Sequence, residues 1–244
     1  MTELLGDWRL WAALGATFLA GVLRGYSGFG TAILLAPVYS VLWGPRVGVP
    51  VMLLLEFFVS MQLLPRAARE ADRRLILPMG GAATLAVPLG AVILLTADPE
   101  ALRRFIGGFV IVFGLLLVSG WRYHGTRPLG LNLAVGAASG LLKGATGMSG
   151  PPVILYLLAG PEAVARHRAN LILYFGIISV VSILGPLWGG LLTQAVFWKL
   201  LLALPALLLG VQLGARLFHV VPVRFYKPFA TAALLAAGAV ALLA

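Results

Sequence analysis

Three ionisable residues stand inside apolar runs of this 244-residue chain: Arg24, Lys143 and Glu56. A charge near the centre of a bilayer is costly to insert, so each of them points to a function by default. Arg24 lies in GVLRGYSGFG, residues 21 to 30, and Lys143 in GLLKGATGMS, residues 140 to 149. In both stretches the basic residue is followed by glycines and a hydroxyl residue, types that interrupt a helix. A cation beside the freed N–H groups of an interrupted helix is chemistry for holding an anion.

The two stretches correspond when the chain is shifted by 119 residues. Gly21, Leu23, Gly25 and Gly28 meet Gly140, Leu142, Gly144 and Gly147, while Val22, Arg24, Ser27 and Phe29 meet Leu141, Lys143, Thr146 and Met148. A weaker echo pairs PLGA at 88 to 91 with QLGA at 212 to 215. We read an internal duplication, with a first repeat over 1–125 and a second over 126–244. Glu56 has no acidic counterpart, since Phe175 stands 119 residues later.

Composition sets the medium in which these residues work. Hydrophobic residues make up 61% and charged residues 11% of the chain, and the mean hydropathy is +1.01, far above that of a soluble domain. Apolar runs recur near 8–42 (interrupted), 45–64, 75–96, 103–120, 130–159 (interrupted), 169–187, 196–217 and 226–244. These are the marks of an all-α integral membrane protein lying in a lipid bilayer. The net charge of +10 is spread over short loops between apolar runs, which argues for topology signals and against a nucleic-acid partner. No cysteine is present, and the three histidines are scattered, so neither a metal site nor a cofactor is expected. Glu3 and Asp7 stand near the start in place of a basic n-region, so a cleaved signal peptide is not expected.

Charge placement decides how the interrupted runs are threaded. If each crosses once, Arg9, Arg66, Arg69, Arg73, Arg74, Arg122, Arg127 and Lys199 face eight other basic residues, with no bias. If each is a hairpin that enters and returns, eleven share one face, including Arg66, Arg69, Arg73, Arg74, Arg166 and Arg168. Five remain opposite: Arg9, Arg46, Arg103, Arg104 and Lys199. The positive-inside rule selects the hairpin and makes the richer face cytoplasmic. Each repeat is then a broken-helix hairpin plus three transmembrane helices, and three crossings insert the second repeat upside down.

On this reading the hairpin tips meet near the midplane, one from each leaflet. Gly25, Gly28 and Gly30, with Gly144, Gly147 and Gly150, permit the turns and the close approach. Ser27, Thr146 and Ser149 supply capping hydroxyls, Pro151 opens a returning half-helix, and Tyr26 stands in the first tip. Two half-helix N-termini, Arg24 and Lys143 then make a substrate site for a small anion. Two structural readings compete: Arg24 pairs with Glu56, and Lys143 snorkels to an interface. Glu56 is left with three roles: carrying a proton for coupled transport, holding Arg24, or both.

At RGYSGFG (24 to 30) and KGATGMSGPPVILYLLAG (143 to 160), and in the spacing between them, the chain resembles the sulfite exporter TauE/SafE family, also called the toluene-sulfonate uptake permease family. The resemblance spans essentially the whole chain. It implies movement of a small anion across the bacterial inner membrane: sulfite, a sulfonate, thiosulfate or another small organic anion. The expectation is a multi-pass secondary transporter working by alternating access, not an enzyme. A passive anion channel and a membrane assembly factor are the rival readings. No Walker motif is present to couple transport to ATP.

Overall fold

The computed structural model describes residues 7–119, 123, 125, 127–157, 162–218 and 220. All ten of its described elements are helices: α1 (Trp8–Ser27), α2 (Thr31–Trp43), α3 (Pro45–Glu70), α4 (Arg73–Thr96), α5 (Pro99–Val118), α6 (Leu129–Thr146), α7 (Gly150–Leu157), α8 (Val164–Ser182), α9 (Leu184–Trp188) and α10 (Gln194–Leu217). Among the described residues, four stretches are long and apolar enough to cross a membrane: Pro45–Glu70, Arg73–Thr96, Ala165–Trp188 and Gln194–Leu217. The expected final run, 226–244, lies outside the described residues.

Local chemistry sets the ends. Asp7 and Asp72 cap α1 and α4 with their carboxylates, and Pro45 and Pro99 open α3 and α5, where a missing N–H costs nothing. Helix α3 runs six residues past the expected end at 64, through Pro65, because Arg66–Glu70 are good helix formers with no need to stop at the hydrocarbon edge.

Both interrupted runs double back. Thr17 in α1 and Tyr39 in α2 share a hydrogen bond, so the two arms lie side by side. In the second run Arg127, just before α6, ion-pairs with Glu162 at 2.8 Å and donates to the Tyr156 and Leu157 carbonyls at the end of α7. Entry and exit of that hairpin therefore share one end of the bundle. The same end-to-end logic places Arg46 beside the Leu95 carbonyl (3.3 Å) and Lys199 over the Trp43 ring (5.3 Å).

Two intimate helix pairs carry the hairpins. Helix α1 packs on α10 and α6 on α4, each through backbone contact at small residues. A Cβ on Gly25 would stand 2.1 Å from the Val211 carbonyl oxygen, and one on Gly144 2.1 Å from that of Val87. The approach is mutual, since Gly214 meets the Val22 carbonyl and Gly90 that of Leu141.

At the centre, α3 and α8 run antiparallel. Leu64 meets Gly176, Ala67 clusters with Ala169 and Ile172, and the Asn170 side chain accepts the Asp72 N–H at 2.7 Å. Outward faces carry exposed Leu85, Leu89, Phe105 and Trp188, as expected of a lipid-facing surface.

Candidate functional site

The two hairpin turns share the same three hydrogen bonds. Helix α1 ends at Gly28 (φ 82°), whose N–H bonds to the Arg24 carbonyl, and α6 ends at Gly147 (φ 77°), whose N–H bonds to the Lys143 carbonyl. Only glycine takes this left-handed conformation cheaply, so the chain turns here. The Ser27 hydroxyl donates to Leu23 O and accepts the Phe29 N–H, just as the Thr146 hydroxyl donates to Leu142 O and accepts the Met148 N–H. The turns diverge one step later: Gly30 has φ 108°, whereas its counterpart Ser149 keeps an ordinary backbone and accepts the Ser139 hydroxyl at its carbonyl.

Two expected tip glycines have other work. Gly25 and Gly144 are helical and serve the α1–α10 and α6–α4 contacts, while Gly150 opens α7 against the Ile33 side chain at the start of α2. The starts of the two returning arms are thus neighbours. Pro151 occupies the first turn of α7.

The two turns do not lie level with each other along the α3–α8 pair. Gly28 lies against Arg168 and Ile172 near the start of α8, and Gly147 against Val49 and Met52 near the start of α3. Because α3 and α8 are antiparallel, the two turns stand at different levels along that pair, while the arms that return from them touch at Gly150 and Ile33. The reason is length: the 20 residues of α1 and 18 of α6 rise about 30 and 27 Å, so each first arm overshoots the centre. What comes level in the middle is the residue one turn back from each tip, Arg24 and Lys143.

Both are fully enclosed, at 0% and 1% exposure, with Glu56 at 3%. Lys143 Nζ ion-pairs with Glu56. Neither expected structural pairing is found: Glu56 takes Lys143 rather than Arg24, and Lys143 stays in the interior. Arg24 instead donates from Nη2 to the Ser60 hydroxyl at 3.0 Å and lies over the Phe175 ring, 4.8 Å from its centroid. Its Nε and Nη1 have no partner. Glu56 is within electrostatic reach of both cations, and the cations of each other, so the three form one cluster with a surplus positive charge. An uncommitted buried donor is expensive, and a bound anion would satisfy it.

Around this cluster the sites divide. Tyr26 packs edge-on against Phe218, 5.9 Å between centroids, beside Arg168, which stacks on the same ring and donates to the Gly25 carbonyl at 2.7 Å. Tyr26, Ser27 and Gly28 therefore belong to a tip held at the α8 end, while Thr146 and Gly147 belong to a tip at the α3 end. Thr31, the first residue of α2, has a buried hydroxyl without a partner. Sequence reasoning missed Phe175, Ser60, Thr31 and Arg168 as site residues. The 119-residue shift from Glu56 was a signal for Phe175.

A groove of about 630 Å³ lined by Phe58, Leu192, Phe197, Trp198, Leu201 and Leu204 lies elsewhere; it is apolar and none of the three charged residues borders it. Among the described residues no group of three or more His, Asp or Glu side chains is placed to hold a metal ion.

The probable sulfite/organosulfonate exporter TauE of Cupriavidus necator is 29% identical to this chain over 161 residues, covering 63% of the chain and 61% of that relative. The chain thus aligns with about three fifths of the relative's length. No solved structure matches. The profile of the sulfite exporter TauE/SafE family matches residues 13–241, nearly the whole chain with both hairpins and the charged cluster, and this multi-pass membrane protein belongs to that family.

Proposed function

We propose that the chain is a secondary transporter that carries a small anion across the bacterial inner membrane, with Arg24 as its principal anion ligand. The observation that carries this reading is the Arg24 guanidinium: wholly buried, stacked on Phe175, and left with N–H donors on Nε and Nη1 after Ser60 has taken Nη2. A planar guanidinium suits the several oxygens of a sulfite, sulfonate or carboxylate group. The relative's printed name, a sulfite/organosulfonate exporter, favours the sulfur oxyanions among these.

Alternating access would work through two inverted-topology repeats, 1–125 and 126–244. Several contacts support that division. Helices α3 and α8 correspond at a shift of 119 and run in opposite directions. Gly25 meets Val211 as Gly144 meets Val87, with Val211 and Val87 separated by 124, the same offset as the PLGA and QLGA echo. Each hairpin thus rides on the third apolar run of the opposite repeat, so rocking one repeat would carry the other's hairpin with it. Glu56, tied to Lys143 inside the cluster, is the residue through which a proton would be coupled.

Purified protein in liposomes tests the reading. We expect labelled sulfite or a sulfonate to accumulate against its gradient when a pH difference is imposed. Flux that merely equilibrates would mark a passive channel, and no flux of any small anion would leave the assembly-factor reading.

A further inference from the structure

The two halves of the cluster are built on one plan and finished differently. Arg24 and Lys143 correspond at 119 residues, and so do the side chains each one faces, Phe175 and Glu56. Each cation sits one turn before a left-handed glycine and projects onto the middle of the α3–α8 pair. Where Arg24 meets an aromatic face, Lys143 meets a carboxylate.

We propose that the duplication created two homologous anion subsites and that Glu56 is a built-in anion filling the one at Lys143, so that this protein selects singly charged oxyanions. The inference rests on the anion reading of Arg24 above and adds to it the charge class of the ligand.

Charge balance inside the enclosed cluster sets the selectivity. With Glu56 ionised, Lys143 is matched; Arg168 of α8, which also acts on Arg24, is offset by Glu70, and the enclosed cluster carries one surplus positive charge, which a monoanion at Arg24 cancels. A dianion of the same shape would leave one negative charge uncompensated in a low-dielectric interior, where an unpaired charge is heavily penalised. The charged groups facing Glu56 are Arg24 from α1 and Lys143 from α6; α8 presents the Phe175 ring. Removing the Glu56 charge would free Lys143, raise the surplus to two and admit a dianion. Placing a carboxylate at 175 would quench Arg24 as Glu56 quenches Lys143.

Methanesulfonate and sulfate are suitable probes, since both are small tetrahedral oxyanions whose charges, one and two, stay fixed across the neutral pH range. Affinities are read by thermal-shift titration of the full chain in detergent, in chloride-free buffer. Wild type should bind methanesulfonate at least about tenfold more tightly than sulfate, one charge-assisted contact being worth that much. Glu56→Gln should shift the ratio toward sulfate by about tenfold or more. Phe175→Glu, whose new carboxylate finds Arg24 waiting, should weaken methanesulfonate binding by a similar factor and decides the question if Glu56→Gln fails to fold. Equal or tighter sulfate binding by wild type overturns the proposal. So does an unchanged ratio in folded Glu56→Gln, or undiminished methanesulfonate affinity in Phe175→Glu. If Arg24→Gln abolishes methanesulfonate binding while the ratio in Glu56→Gln is unchanged, the Arg24 site stands and only the role of Glu56 falls. Failure of wild type to bind either anion overturns both.

Discussion

Glu56 and Lys143, 87 residues apart in sequence, form an ion pair in the interior of the bundle, on α3 and α6. Each is enclosed almost completely, so neither is solvated if the other is removed. Glu56→Gln should therefore cost about 3 to 5 kcal/mol of stability, as breaking a buried pair from one side does. Removing both charges in Glu56→Gln/Lys143→Gln should recover much of that loss. Thermal unfolding in detergent reads the two values, and additive losses would show that the pair does not act as a unit.

The glycine contacts make a sharper structural prediction because the obstacle is backbone. An alanine methyl at 25 or 144 would meet a carbonyl oxygen at 2.1 Å, which requires two helices to move apart. Gly25→Ala and Gly144→Ala should each destabilise by about 1 to 3 kcal/mol or more. At Gly15 nothing lies within 4 Å, so Gly15→Ala should be neutral or stabilising by up to about 1 kcal/mol. Folded yield and melting temperature of the three variants separate close packing from simple helix propensity.

Topology is testable because the chain has no native cysteine. From the 11 to 5 division of basic residues, stretches 65–74, 120–128, 160–168 and 218–225 should face the cytoplasm, although parts of the last three lie outside the described residues. Single cysteines placed there should react with an impermeant reagent only when the cytoplasmic face is open to it. Labelling at position 164 from the periplasm would contradict the hairpin threading. Asp72 bonded to Asn170, and Arg127 paired with Glu162, are the contacts that set these stretches at common ends.

The turns were legible in the sequence because their cause is local. A glycine after a hydroxyl residue, preceded by a cation and repeated 119 residues later, specifies the same left-handed end at Gly28 and Gly147. The partner of Glu56 was not legible. Which cation it meets depends on how deep each arm runs, and that follows from the whole length of α1 and α6 and from glycine packing on α10 and α4. For the same reason the tips were expected to converge near the midplane, whereas each reaches past the middle of the α3–α8 pair. Arg168 looked like one more loop charge; only tertiary packing brings it to the Gly25 carbonyl and the Phe218 ring.

Arg24 and Lys143 should respond differently to mutation although the repeat equates them. Arg24→Gln removes the donors on Nε and Nη1 together with the surplus charge, so anion affinity should fall by about tenfold or more, with membrane insertion eased. Arg24→Lys keeps the charge but loses the planar fork and its stacking on Phe175, and should recover only part of the affinity. Lys143→Gln acts indirectly. It leaves Glu56 as a buried carboxylate whose nearest remaining cation is Arg24, and Glu56 should turn to Arg24 and compete with the ligand. Anion binding should then weaken although no ligand contact has been removed. The double variant Lys143→Gln/Glu56→Gln should restore it, because Arg24 is again left without a carboxylate. Titrating these four variants with methanesulfonate separates the roles: rescue by Glu56→Gln marks Lys143 as the residue that keeps Glu56 away from Arg24, whereas persistent loss in the double variant would make Lys143 a direct ligand.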